Sequence, residues 1–353
     1  MTPKERILAV LNGKTPDRIP FAPFSELIPR GAFERELRNR GMGLVQHHSS
    51  VVSGADKLSE IRSHADGKSI TVYRTPEGDV STAFAFVHGA SNDGSVQSGY
   101  MIKKTGDYAP TIAYLNAITF DVDTYDFAIA TDNLGEDGIL HAWSSEPPYM
   151  EAQYYLGLEK WIYDQEDYPE EFSRLMDALE RLQQRRMVCV MKSPERIVNI
   201  ANLAGNFGPE AFEREMLPYC RKYASLLSAQ GIKTTLHADA SNLSMFKHLV
   251  PLTGVNIVEA FTPPPVGDLS LAEARRCWGG DITIWINFPE SVFYDGYDRT
   301  KQYAIDLMRS DPCPNKLLSL TEMGLMGVSP ATCGIYKMGI LAIMDAIDEA
   351  GAY

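Results

Sequence analysis

The chain lacks any CxxC pair, any Gly-rich phosphate loop, any basic stripe and any apolar run long enough to cross a bilayer. Each absence removes a class of protein. Its five cysteines (Cys189, Cys220, Cys277, Cys313 and Cys333) are scattered and odd in number. No disulfide framework or thiolate zinc cluster follows from them, and a reducing compartment is expected. The formal net charge of −13 is not offset by a basic tail. It argues against a nucleic-acid partner, which is bound chiefly through Lys and Arg, and favours a basic protein partner if any. The opening Met1-Thr2-Pro3-Lys4-Glu5-Arg6 lacks the charged-then-apolar plan of a signal peptide. Without about 18 successive apolar residues no membrane span is expected, and the expectation is a cytoplasmic protein. What is present is core: 44% of the 353 residues are hydrophobic, a length ordinary for a barrel with insertions.

The most informative stretch is Lys233 to Asp239, a β-branched run that stops on His237 and Asp239. Residues i and i+2 of an extended backbone share a face, so these two side chains can converge on one point. The same ending recurs downstream. Residues 255–258 run into Glu259, residues 282–286 into Asn287, and residues 317–321 into Glu322. Strand candidates lie at 139–144, 196–202, 232–238, 255–261, 282–288 and 316–321. Helical patterns lie near 167–190, 209–230, 241–250, 270–277, 298–309 and 333–350. This alternation predicts a parallel sheet, and strands ending in ionisable groups are what a (β/α)8 barrel presents at its catalytic mouth. Residues 18–24 supply a seventh strand, and the eighth is sought in 44–53 or 119–130. The fold expected is therefore α/β, a (β/α)8 TIM barrel in one domain over residues 1–353. Residues 40–125 form an elaboration on it, because 69–87 around Pro76-Glu77-Gly78 carries a β-hairpin signal. A short helix is expected over 3–12 with Pro3 in its first turn.

For His237 and Asp239 the sharp reading is a metal pair completed by Glu322 or Glu259, since catalytic zinc takes three protein ligands and leaves one position open. The plainer reading is a satisfied polar pair at a strand end, or an acid/base pair without metal. Glu259 precedes a loop stiffened by Pro263, Pro264 and Pro265, suited to fixing a catalytic carboxylate. Asp268 reads as a helix N-terminal residue. His141, Trp143, Tyr149, Asn202, Asn206, Trp285 and Asn287 would ring the same mouth, with Glu26 at the rim. Of these, His141, Asn202 and Asn287 are candidates for orienting a substrate alongside Glu259; Trp143, Tyr149, Asn206, Trp285 and Glu26 are candidates for contacting it. The adjacent His47 and His48 face opposite ways in a strand and are not expected to share a metal.

Read together, these residues resemble the uroporphyrinogen decarboxylase superfamily. The similarity lies in residues 2–13 followed by Pro16-Asp17-Arg18-Ile19-Pro20, in Arg74-Thr75-Pro76-Glu77-Gly78, in Leu236-His237-Ala238-Asp239, and in Gly327-Val328-Ser329-Pro330 with its terminal helix. It spans essentially the whole chain and implies a (β/α)8 barrel. True uroporphyrinogen decarboxylases carry an early Arg-Gln-Ala-Gly-Arg signature; this chain has Phe24-Ser25-Glu26-Leu27-Ile28-Pro29-Arg30 in its place. An anionic tetrapyrrole would meet Glu26 there, which disfavours that substrate.

The corrinoid-dependent methyltransferases of the same superfamily bind zinc through a His-x-Cys pair and a later Cys. By resemblance His237 is the histidine, Asp239 stands at the first cysteine and Glu322 aligns with the last. Carboxylates in place of thiolates imply a harder, oxygen-preferring metal, and the phenyl methyl ether O-demethylases are the most similar in function. The resemblance thus implies a zinc-dependent methyltransferase. It would move a methyl group from a methoxylated, including aromatic, small donor to a corrinoid supplied by a separate corrinoid-binding protein. A homodimer is compatible with it. Alternatives are a decarboxylase of a smaller substrate, a non-catalytic ligand-binding barrel, or a methylamine, methylthiol or methanol as methyl donor.

Overall fold

The protein is represented by a computed structural model that describes every residue except 56–57, 66, 88–93, 145, 204–205, 240–241 and 322–328. Backbone contacts divide the chain into two units, residues 1–50, 124–143 and 194–353, and residues 51–123 with 144–193.

The first unit is built on seven strands: β1 Leu44–His47, β2 Gly138–Trp143, β3 Ile197–Asn202, β4 Lys233–His237, β5 Ile257–Phe261, β6 Thr283–Phe288 and β7 Lys316–Leu320. They are hydrogen-bonded in that order and every pairing is parallel. The result is a curled parallel sheet. Every residue of β5, β6 and β7 is buried, as in parallel strands covered on both faces. The six strands expected from residue 139 onward lie within two residues of their predicted bounds. Of the two places considered for a further strand, 44–53 holds β1.

Residues 18–24 form no regular strand, and two prolines explain why. Pro20 and Pro23 have no N–H to give to a ladder. The segment still touches both edges of the sheet through isolated parallel bridges, Phe21 with Leu318 of β7 and Phe24 with Val45 of β1. Ala22 N donates to Leu318 O at 2.8 Å, and Val45 N donates to Pro23 O at 3.0 Å.

Helices follow the strands much as the pattern predicts. Pro3–Leu11 opens on a capping box in which Thr2 and Glu5 satisfy each other's backbone N–H. The helix expected over 241–250 is instead two short 3-10 turns, Leu243–Phe246 and Val250–Thr253. Asp268, expected at a helix N-terminus, binds the backbone N–H and hydroxyl of Ser244. Ser270 caps Leu271–Trp278 in its stead, accepting from Glu273 N at 3.3 Å. Contrary to the expectation of no apolar segment of that length, the terminal helix Pro330–Ala350 is, by length and composition, apolar enough to cross a bilayer. Its Tyr336, Ile340, Ile343 and Ile347 are buried, with the Tyr336 ring edge-on to Phe293 at 5.5 Å.

The second unit holds a four-stranded antiparallel sheet, Ser59–Ala65, Lys68–Thr75, Gly78–Val87 and Gly94–Gly99, paired in chain order. The predicted hairpin is its central pair. Its turn is closed by Thr75 Oγ1 donating to Gly78 O at 2.7 Å, and Gly78 takes φ +127°. Val51–Gly54 pairs antiparallel with Thr119–Val122. The long helix Pro169–Lys192, which fills the helical pattern at 167–190, belongs to this unit.

Gly138 opens β2 with no room to spare: a Cβ there would run into the carbonyl of Leu44 on β1. Gly138→Ala is expected to cost about 1–3 kcal/mol, read as a lower denaturant midpoint at unchanged slope. An unchanged midpoint would contradict this β1–β2 packing.

Candidate functional site

His237 is the last residue of β4, level with Asn202 of β3 on one side and Glu259 of β5 on the other. Two irregularities set its surroundings. Between β5 and β6 the register shifts, so that Glu259 and Ala260 together stand opposite the single residue Trp285. Ala260 takes φ +60°, and among the described residues no other non-glycine has a positive φ. A bulge of this kind re-aims a side chain, and the left-handed alanine costs of order 1 kcal/mol or more that the neighbouring packing must offset. A second shift separates Thr235 and Leu236 in the β3–β4 pairing.

Both ring nitrogens of His237 meet carboxylates. Nδ1 is in short contact with Glu259 Oε2, and Nε2 lies 3.4 Å from Asp239 Oδ2. Trp143 stands edge-on to the imidazole with centroids 4.9 Å apart. Glu259 has no exposed surface, and its Oε1 has no hydrogen-bond partner among the described residues. Burial disfavours a charged imidazole here, but the charge of Glu259 and the hydrogen bonds to both carboxylates outweigh it, and the pKa of His237 is raised to about 10. That of Asp239 is lowered, chiefly by its hydrogen bond to His237. Without metal, His237 is an imidazolium held between two carboxylates at neutral pH.

The spacing of His237 Nε2 and Asp239 Oδ2 is that of two ligands of one zinc ion. Bonds of about 2.0–2.2 Å in a tetrahedral site hold neighbouring donor atoms about 3.3 Å apart, close to the Nε2–Oδ2 separation of 3.4 Å. A carboxylate on the other ring nitrogen is how metal-bound histidines are usually oriented, which puts Glu259 behind the ring and not in the ligand set. Among the described residues no group of three or more His, Cys, Asp or Glu side chains is placed to hold a metal. Glu322, the expected third ligand, lies outside the described residues. The chain leading to it is fixed: Thr321 N donates to Glu290 Oε1 at 2.7 Å, and Tyr336 OH donates to the same oxygen at 2.8 Å.

Aromatic faces line the approach. Phe24 stacks on His47 at 4.1 Å and on Trp285 at 5.5 Å. His47 meets Trp143 edge-on at 6.2 Å, and its Nε2 lies 3.5 Å from Glu26 Oε1. Glu26 is thus linked to His237 through His47 and Trp143. Phe24 and His47 were missed from sequence, although the signal was there. His47 and His48 do face apart, with His48 against Phe127, but His47 then remains on the face shared with the site.

Deeper in the sheet the chemistry changes. His141 is fully buried, its Nε2 3.1 Å from Thr235 Oγ1, which donates to Asn199 Oδ1 at 3.2 Å. The threonine proton being committed to Asn199, His141 donates from Nε2 and leaves Nδ1 as a bare acceptor. Burial pushes its pKa down to about 4, so the ring is neutral. Trp285 Nε1, Asn202 Oδ1, Asn287 Oδ1 and His141 Nδ1 have no hydrogen-bond partner among the described residues. Two further predicted residues are Asn206 and Tyr149. Asn206 is exposed on the turn after β3. Tyr149 lies in the second unit, buried against Trp161 with its hydroxyl 3.3 Å from Gln165 Oε1.

No protein family matches the chain by sequence, and no curated protein resembles it significantly. Solved structures do. A methyltransferase from Methanosarcina mazei superposes with a TM-score of 0.57 at 13% identity, covering 99% of each chain. A B12-independent methionine synthase from Shewanella sp. W3-18-1, in complex with selenomethionine, gives a TM-score of 0.39 at 7% identity, over 90% of this chain and 85% of that one; a likeness that slight carries no argument. At 13% identity the first match establishes a shared fold.

The buried pair makes two expectations. His237→Ala leaves Glu259 uncompensated and should cost about 3–5 kcal/mol, part of which the double variant His237→Ala/Glu259→Gln recovers. Equal stability of the single and double variants would show that the pair carries no such coupling. In the metal-free protein the raised pKa adds stability that is full below the unfolded value of about 6.5 and is lost as pH rises through about 10. Glu259→Gln should lower the His237 pKa, read by NMR titration of the ring, and shrink that alkaline loss.

Proposed function

We propose that the chain is a single elaborated (β/α)8 barrel, closed through the segment around Phe21 and Phe24. In this reading it is a cytoplasmic methyltransferase that moves a methyl group from a methoxylated small molecule to a corrinoid on a separate protein. The observation that carries the reading is His237 with Glu259 on Nδ1 and Asp239 one zinc-edge away from Nε2. The full-length likeness to a methyltransferase fold is consistent with it.

His237 and Asp239, with Glu322, would hold the metal. A zinc bound by this oxygen-rich set would polarise the ether oxygen of the donor and ease its departure as an alkoxide or phenoxide. Glu259 keeps a proton on Nδ1 and so presents Nε2 as the ligating atom. The exposed rings of Trp143 and His47 offer faces to an aromatic donor, and Asn202 and Asn287 carry amide groups with capacity left to orient its polar substituents. The net charge of −13 suits a partner that brings a basic surface with its corrinoid.

One observation favours a second reading. An imidazolium that holds its proton up to about pH 10 can bind a substrate carboxylate and deliver the proton that replaces carbon dioxide at carbon. That would be a decarboxylase of a smaller substrate than a tetrapyrrole.

Elemental mass spectrometry on protein purified without added metal separates the two. Near-stoichiometric zinc in the wild type, lost in His237→Ala and Asp239→Ala, is expected, together with methyl transfer from a methoxyarene to a reduced corrinoid protein. Glu259→Gln should weaken zinc affinity about 10–100-fold without abolishing binding. A wild type that takes no zinc even when it is offered sinks the methyltransferase reading, and stoichiometric carbon dioxide release would then establish the second.

A further inference from the structure

The second unit ends in an unprotected sheet edge. Ser59–Ala65 pairs with Lys68–Thr75 on one side, and among the described residues nothing pairs with its other side. All seven residues are exposed. At the opposite edge of the same sheet, in contrast, Gln97 Nε2 donates to Tyr154 O at 2.8 Å. A seven-residue strand is about 24 Å of free N–H and C=O groups, a template for another strand.

Its side chains show which strand fits. Glu60 and Arg62, which in one chain are ion-paired to each other, flank Ile61, itself 42% exposed, and Ser59 and Ser63 lie one step further out. The order Ser-Glu-Ile-Arg-Ser is self-complementary under a two-fold axis through Ile61. An antiparallel copy then sets Glu60 against Arg62 of the second copy, Arg62 against Glu60 of the second copy, Ile61 against itself, and Ser59 against Ser63. Both charges lie on one face of the sheet and the isoleucine on the other. Charges normally guard an edge against pairing, but an acid and a base mirrored about the centre reward one register and penalise a slip. The charge of the paired segment sums to zero, so the −13 of the chain does not concentrate there.

We propose that this edge joins two copies of the chain into one continuous eight-stranded antiparallel sheet, with Ile61 on the two-fold axis. One strand pair buries less than the roughly 1,600 Å² of a standard interface, so the dimer dissociates on dilution.

Sedimentation over a concentration series tests this with a charge swap. The wild type should shift from one to two chains per particle as concentration rises. Glu60→Arg sets arginine against arginine twice per dimer and should weaken association roughly tenfold. The double variant Glu60→Arg/Arg62→Glu restores opposite charges and should return to the wild-type curve. Both substituted positions are exposed, and unchanged circular dichroism confirms that the variants fold. A wild type that stays monomeric rejects self-pairing and leaves the edge to a strand of another protein. A Glu60→Arg variant that dimerises like the wild type, or a swap as weak as the single variant, also overturns the proposal.

Discussion

A carboxylate with none of its surface in water costs several kcal/mol unless something charged or hydrogen-bonding meets it. Glu259 is such a group, and His237 is what meets it. Much of the site follows from that requirement. The bulge at Glu259 and Ala260 turns the carboxylate toward β4, and the left-handed alanine is the local strain that this turn entails. With Nδ1 committed to Glu259, the other nitrogen of His237 must look outward, toward Asp239 and the partly exposed Trp143. The pair thus fixes the direction in which the histidine can act.

The interior is stratified by charge. At the strand ends His237, Asp239 and Glu259 form an ionic group. Beneath them His141, Thr235 and Asn199 form a hydrogen-bonded chain in which the imidazole is held neutral by burial. The two histidines differ in pKa by about six units, from about 4 to about 10, on strands of one sheet. Burial lowers both; at His141 the charge of Glu259 does not offset it, whereas at His237 that charge and the hydrogen bonds to Asp239 and Glu259 outweigh it. A neutral floor under a charged mouth directs electrostatic binding to the outer level.

The parts of this arrangement that could be read from sequence are those with long apolar runs. β3 to β7 announce themselves by buried apolar stretches that reach Asn202, His237, Glu259, Asn287 and Thr321, but the bulge that aims Glu259 is not in that pattern. β1 is four residues long and gave too little pattern to separate 44–53 from 119–130. The segment at 18–24 was recognised as extended, but its prolines make it a bridged connection instead of a ladder. The helix expected over 241–250 failed because Asp268, distant in sequence, recruits Ser244. Ala260 left no trace in composition, since nothing about an alanine between Glu259 and Phe261 signals a left-handed backbone. The alternation that turns His47 and His48 apart excludes a shared metal, yet it leaves His47 on the face where Glu26 and Trp143 meet it.

The bridge between Phe21 and Leu318 joins positions separated by nearly the whole chain. Closing so long a loop costs little more than closing a medium one, because the entropy grows only with the logarithm of length, so the contact is cheap at equilibrium. It is costly in time. During synthesis Phe21 emerges long before Leu318, and Phe24, which stacks on both His47 and Trp285, is held on one side only until β6 and β7 arrive. The aromatic wall at the mouth is therefore completed by Trp285 of β6, and a ribosome-bound chain that stops short of β6 carries its histidines without that member of the wall.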